Sequence, residues 1–240
     1  MNLDHLKQFP NQLIEGSSTE CAGITVADIC GNIDGIPYDY DYVYANALRL
    51  ANTPPTTAGS DPYEAMLSAV VYGLVPYTMD ETNAAKMGEL YVANWKNYSP
   101  QVRTEALKHS RRGVKTLYTY QDIVDHILTT GTGVSIAMKW YDSFRYPNQD
   151  GTLPAAVGIT SNHDVAAYEL TSKGLRIKPW LGSSYGDGGY CYMTEATFSI
   201  TAFAAYGFDP NAWRWMSLAK IAVTHPWSIP DILPIMQKTP

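Results

Sequence analysis

Gly158-Ile159-Thr160-Ser161-Asn162-His163-Asp164-Val165-Ala166-Ala167-Tyr168 sets a histidine directly before a segment that alternates like a strand, Asp164 to Leu170. Val134 to Trp140 and Leu175 to Lys178 follow the same period of two, and Val114 to Tyr118 and Tyr190 to Met193 read as shorter strands. Upstream the period changes. Residues 18 to 30 carry helical spacing, with Ala22, Val26, Ile29 and Cys30 on one face, and Gly31 is expected to stop the helix. Residues 38 to 51 read as a second helix, and Asn52 to Gly59 as a loop by its proline and glycine content. Ser60 is the expected N-cap of a third helix that has Pro62 in its first turn and ends at Gly73. Tyr120 to Leu128 reads as a helix closed by Gly131. Helices followed by strands predict an α+β chain of two lobes. Residues 1–112 form the helical lobe, 113–205 the β-rich lobe and 206–240 a C-terminal tail. Pro226 to Pro240 holds four prolines among apolar residues, so the tail is either strapped down or an arm for an assembly partner.

The chain has 240 residues and a formal net charge of −6, which argues against nucleic acid as a partner, since phosphate binding rests on basic patches. The densest basic cluster, Lys108, Arg111, Arg112 and Lys115, reads as a solvated helix end. Eighteen tyrosines against five phenylalanines favour wet grooves or interfaces, because tyrosine joins an apolar body to a polar tip. Cys21, Cys30 and Cys191 have no zinc spacing and could form at most one disulfide, so no metal or cofactor is expected. The first residues carry no cationic leader before an apolar stretch, and the longest apolar run, Ile200 to Phe208, is too short to span a bilayer. The expectation is a soluble chain without membrane contact, compatible with a cytoplasmic or virion-associated location.

Asn11-Gln12-Leu13-Ile14-Glu15-Gly16-Ser17-Ser18-Thr19-Glu20 precedes the first helical pattern, so Ser18 stands where a helix dipole favours developing negative charge. Its base must come from elsewhere in the chain. His5, His109, His126 and His225 lack a distinguishing context, whereas His163 sits in the segment quoted first. Together these stretches resemble the papain-like cysteine peptidases, in a prokaryote- or phage-like form. Asn-Gln leading to Gly-Ser and a nucleophile six positions after the glutamine is similar to Gln12 and Ser18. Ala58-Gly59-Ser60, the His163 segment, Tyr141-Asp142-Ser143-Phe144, and Gly182-Ser183-Ser184-Tyr185-Gly186-Asp187-Gly188-Gly189-Tyr190 are similar to further family blocks, across roughly residues 6 to 195. The resemblance implies a papain-like two-lobe fold with the cleft between the lobes and a helical lobe carrying Gln12 and Ser18. Gln12 would help form the oxyanion hole, Ser18 occupy the nucleophile position, His163 act as general base, and Gly59 and Ser60 pair with a peptide substrate.

The departures bear on activity. The family's cysteine is Ser18, its histidine-orienting asparagine falls on Pro179, and the tryptophan that shields it falls on Leu181. A serine cannot be ionised in advance by a helix dipole worth about 1 kcal/mol, so it must pass its proton to His163 during attack. Pro179 offers no side-chain acceptor to aim that histidine, and Asn162, Ser161 or Ser183 are the residues that could substitute. Cys21 is the alternative nucleophile; nine residues after Gln12 and three past the expected helix start, it is expected to face the core. With eleven residues before Gln12, no inhibitory prosegment is expected.

The resulting expectation is a papain-fold pseudoenzyme, inactive or weakly active, keeping a peptide-binding cleft or a structural role with a peptide or protein partner. The alternative is an active hydrolase using Ser18, natural or standing in for cysteine, by acyl transfer.

Overall fold

The computed structural model describes residues 21–54, 59–77 and 99–237. Its frame is one antiparallel sheet whose strands are β1 (Val114–Leu117), β2 (Val134–Tyr141), β3 (Thr160–Thr171), β4 (Gly174–Lys178), β5 (Cys191–Met193) and β6 (Ala202–Phe208). They lie in the order β1-β6-β2-β3-β4-β5. The central strand β2 pairs β3 with Met138 opposite His163, and β3 pairs β4 with Ala166 opposite Lys178.

Three helices cover one face. They are α1 (Cys21–Asp34), α2 (Tyr40–Leu50) and α3 (Pro62–Val71). Ile24, Val26, Ile29, Met66 and Leu74 meet Ala166, Tyr168 and Trp180 there in one apolar cluster. α4 (Pro100–Lys108) stands beside α3. α5 (Tyr120–Thr130) and α6 (Glu195–Thr201) cover the other face, where Ile123, Ile127 and Phe198 pack on Ile136, Met138, Val165 and Ile177. α5 starts at a capping box between Thr119 and Asp122 and ends at the left-handed Gly131, as its sequence predicts.

The boundaries of α1 and α3 differ from the sequence reading. α1 runs through Gly31 to Asp34, because a Cβ at residue 31 would meet the Ile36 carbonyl oxygen at 3.0 Å. That close approach, made possible by glycine, outweighs a helix propensity cost of about 1 kcal/mol. Its burial is not confined to one stripe, since residues 22–31 are all buried. The N-cap of α3 is Asp61, whose carboxylate accepts from the Tyr63 and Glu64 amides, rather than Ser60. Among the described tyrosines, Tyr38, Tyr42, Tyr44, Tyr72, Tyr168, Tyr185, Tyr190 and Tyr192 are buried, the hydroxyls of Tyr42, Tyr72, Tyr185 and Tyr192 being bonded at the edges of the core, while Tyr118 and Tyr146 are exposed.

Beyond residue 205 the chain is folded. β6 runs across the expected boundary at residues 205 and 206, followed by α7 (Arg214–Thr224), a 3-10 turn (Pro226–Ser228) and α8 (Ile229–Met236). Leu218, Ile221 and Ile232 from these helices close a third cluster with Tyr42, Leu50, Leu67 and Val70. Asp231 pairs with Arg49 and accepts from the Tyr72 hydroxyl, while His225 Nε2 lies 2.9 Å from Glu64 and Trp227 donates to the Leu50 carbonyl at 2.6 Å. The tail is strapped to the helical side of the molecule. Among the described residues, no helix is long and apolar enough to cross a membrane.

Candidate active site

His163 is the fourth residue of β3, so it stands within the strand rather than opening it. Its ring lies edge-on to Trp140 of β2, centroids 5.0 Å apart, and Trp140 in turn packs against Phe144 and Tyr185. The Tyr185 hydroxyl donates to the Phe144 carbonyl at 2.6 Å, which joins two sequence blocks that lie some forty residues apart. Aromatic cover over the histidine therefore comes from Trp140, not from residue 181; Leu181 packs into the cluster beneath.

The acceptor missing from the side chain of residue 179 is present in its main chain. His163 Nε2 lies 2.8 Å from the carbonyl oxygen of the buried Pro179. A carbonyl only accepts, so the proton sits on Nε2 and, in the neutral ring, Nδ1 is the basic nitrogen. Burial pushes the His163 pKa below the usual histidine value, and the Pro179 carbonyl offsets part of that shift. An anionic partner is what this imidazole needs to hold a proton. Sequence matching by side chain overlooks such an acceptor, because every residue carries a carbonyl. Of the substitutes expected, Asn162 accepts instead from Lys139 Nζ at 2.7 Å, and Ser161 and Ser183 are exposed.

The segment after Pro179 ties the histidine to α1. Trp180 is buried, 3% exposed, and its indole N–H donates to Thr25 Oγ1 at 3.1 Å. Thr25 Oγ1 also approaches the Asp164 carbonyl at 3.5 Å. One turn further along α1, Asp28 accepts from Tyr168 of β3 and pairs with Lys178 of β4 at 3.3 Å. Burial raises the Asp28 pKa to about 6, with Lys178 and Tyr168 opposing the shift. Contacts thus move from Lys178 to Trp180, toward the His163 end, as α1 is followed from Asp28 back to Thr25. Residues 21, 25, 28 and 32 share one face of a helix.

Asp164, beside the histidine, is buried and accepts from Ser135 Oγ at 2.9 and 3.0 Å. Burial pushes its carboxyl up to about 7, and the charge of Asp61 adds to the shift. Asp61 follows Gly59 and Ser60, so the expected substrate strip comes within electrostatic reach of the β3 end that carries His163. Gly59 has a φ of 84°, and Ser60 Oγ is buried with no hydrogen-bond partner among the described residues.

Gln12 and Ser18, and His5, lie outside the described residues. The other histidines are engaged elsewhere: His109 Nδ1 with the Tyr38 hydroxyl at 2.9 Å, His126 with Thr132 at 3.2 Å, and His225 with Glu64. Burial pushes the Cys30 thiol up to about 11 and that of Cys191 to about 12, so neither is a ready nucleophile. Among the described residues no group of three or more metal-ligating side chains comes together.

No family model matches the sequence, and no curated protein matches it. Solved structures do. Xylellain, a cysteine protease from Xylella fastidiosa, is similar with a TM-score of 0.62 and 16% identity, over 79% of this chain and 79% of that one. Digestive procathepsin L 3 of Tenebrio molitor larval midgut gives 0.52 at 14% identity, over 79% of this chain and 62% of that one. The bromelain protease from Ananas comosus, in complex with the E64 inhibitor, gives 0.50 at 16% identity, over 80% and 87%. Likeness at these identities speaks to architecture, and the chain has the papain-like α+β fold.

Proposed function

We propose that the chain is a papain-fold hydrolase that cleaves a peptide bond by acyl transfer, with Cys21 as nucleophile, His163 as its proton acceptor and Gln12 as an oxyanion donor. The observation that carries this reading is the bond from His163 Nε2 to the Pro179 carbonyl at 2.8 Å, which leaves Nδ1 as the base. The expectation of a degenerate site rested on Ser18, Pro179 and Leu181 together, and the main-chain acceptor at residue 179 answers the second of these.

The contacts along α1 support this choice of nucleophile. Position 21 lies just over one turn, about 6 Å of rise, before Thr25 and on the same face. A cysteine suits this base better than a serine. Thiol and imidazole exchange a proton near neutral pH. The thiolate attacks the substrate carbonyl, the oxyanion forms against its donors, and the leaving amine takes the proton from His163. Water then releases the acyl group with His163 again accepting a proton. A peptide lying along Gly59 and Ser60 would present its carbonyl to this pair. Ser18 keeps the family spacing from Gln12 and is the competing nucleophile; a cleft that binds peptide without cleaving it is the competing function.

The test is treatment with E64, followed by mapping of the adduct by mass spectrometry. A single adduct on Cys21 is expected, kept in Ser18→Ala and lost in Cys21→Ala and His163→Ala. No adduct, or one confined to Cys30 or Cys191, would return the chain to peptide binding. Loss of the adduct in Ser18→Ala would return Ser18 to the site.

A further inference from the structure

We propose that Pro179 and Trp180 form a main-chain orienting device for His163, in which the left-handed backbone of Trp180 turns the Pro179 carbonyl onto Nε2. The geometry joins three facts. Trp180 has a φ of 59°, a region that residues with a side chain seldom adopt. The Pro179 carbonyl lies in the peptide plane it shares with Trp180, so its direction is set by ψ of Pro179 and φ of Trp180. That carbonyl is the one 2.8 Å from His163 Nε2.

Left-handed backbone at such a residue costs about 1–2 kcal/mol, and it persists only where the surroundings impose it. Here they do. The indole is 3% exposed, donates to Thr25 Oγ1 at 3.1 Å, and lies under Lys178 Nζ at 4.4 Å from the ring centroid. Lys178 is itself held by Asp28 at 3.3 Å. Proline contributes by fixing φ of residue 179 and by disfavouring helical backbone at Lys178, which suits the end of β4. The acceptor is therefore anchored on three sides without a rotatable side chain. Pro179 and Trp180 are positioning residues; they act on chemistry only through His163.

This inference deepens the hydrolase reading for its effect on rate, but its structural half does not depend on that reading. The readout is the imidazole Nε2–H proton by NMR, observed in the full chain above the pKa of His163. A downfield Nε2–H resonance, slow to exchange with water, is expected in the wild type. Trp180→Ala removes the anchor and disfavours positive φ, so the resonance should be lost. Trp180→Gly permits positive φ and should retain it in part. An ester in place of the amide between Pro179 and Trp180 keeps every side chain, weakens the carbonyl as an acceptor, and covers the case in which Trp180→Ala does not fold. There the resonance should shift upfield and exchange faster, and alkylation of Cys21 at pH 6 should slow by up to about 10²-fold. An unchanged resonance in the ester, or in a folded Trp180→Ala, overturns the orienting device. A changed resonance with no Cys21 reactivity in any variant leaves the device standing and overturns the hydrolase reading alone.

Discussion

Thr25 Oγ1 accepts the Trp180 indole N–H at 3.1 Å, so the first helix and the loop beside the candidate base are joined through one buried hydroxyl. The same oxygen approaches the Asp164 carbonyl. Thr25→Val keeps the shape and removes the acceptor, leaving a buried indole N–H unsatisfied. The expected loss of stability is about 1–3 kcal/mol, read from denaturant unfolding. A change within about 0.3 kcal/mol would mean that the bond does not hold the loop.

Asp28 and Lys178 carry the adjoining contact. Asp28 is fully buried and Lys178 is 7% exposed, so removing one partner strands the other charge in the interior. Lys178→Ala should cost about 3–5 kcal/mol. Replacing both at once, with Asp28→Leu and Lys178→Met, should cost less than the sum of the single changes, because no charge is left alone. Additive losses in a double-mutant cycle would contradict the pairing.

Asp164 makes stability depend on pH in an unusual direction. Its carboxyl titrates at about 7 in the folded chain, raised by burial, against about 3.9 for an exposed aspartate. The folded state therefore binds a proton that the unfolded state has released. The contribution of this group is favourable below about pH 4 and is lost as pH rises toward 7, on the order of 4 kcal/mol in full. Asp164→Asn should flatten that part of the stability–pH curve measured by urea unfolding. An unchanged slope between pH 4 and 7 would show that Asp164 is not its source.

The C-terminal strap should prove integral to the fold. Asp231 meets Arg49 and the Tyr72 hydroxyl, and its side chain is 18% exposed. Asp231→Ala should destabilise by about 2 kcal/mol. Deleting residues 225–237 should expose Leu50, Leu67 and Val70 and promote self-association in sedimentation. A deletion variant as stable and as dispersed as the full chain would reassign these helices to an external partner.

Much of the architecture was legible because local signals agreed with the tertiary result. Alternation marked Val134 to Trp140, and the Thr119 box with Gly131 bounded α5. What escaped reading depends on distant partners. Gly31 looks like a helix stop until the Ile36 carbonyl is seen against it. Ile200 to Phe208 reads as a bare apolar run, yet it divides between the end of α6 and β6, which pairs with both β1 and β2. At the candidate site, His163 was visible by its surroundings, while the Pro179 carbonyl was not, because no residue type encodes where a peptide plane points.

The central claim is that Cys21 and His163 form a reacting pair. Its most direct measurement is the rate of Cys21 alkylation by iodoacetamide from pH 5 to 8, with His163→Ala as the control. The account predicts fast labelling already near pH 6, and a profile in His163→Ala that rises only toward the free-thiol value of about 8.5. A wild-type profile that itself rises only near pH 8.5, unchanged by His163→Ala, would contradict it.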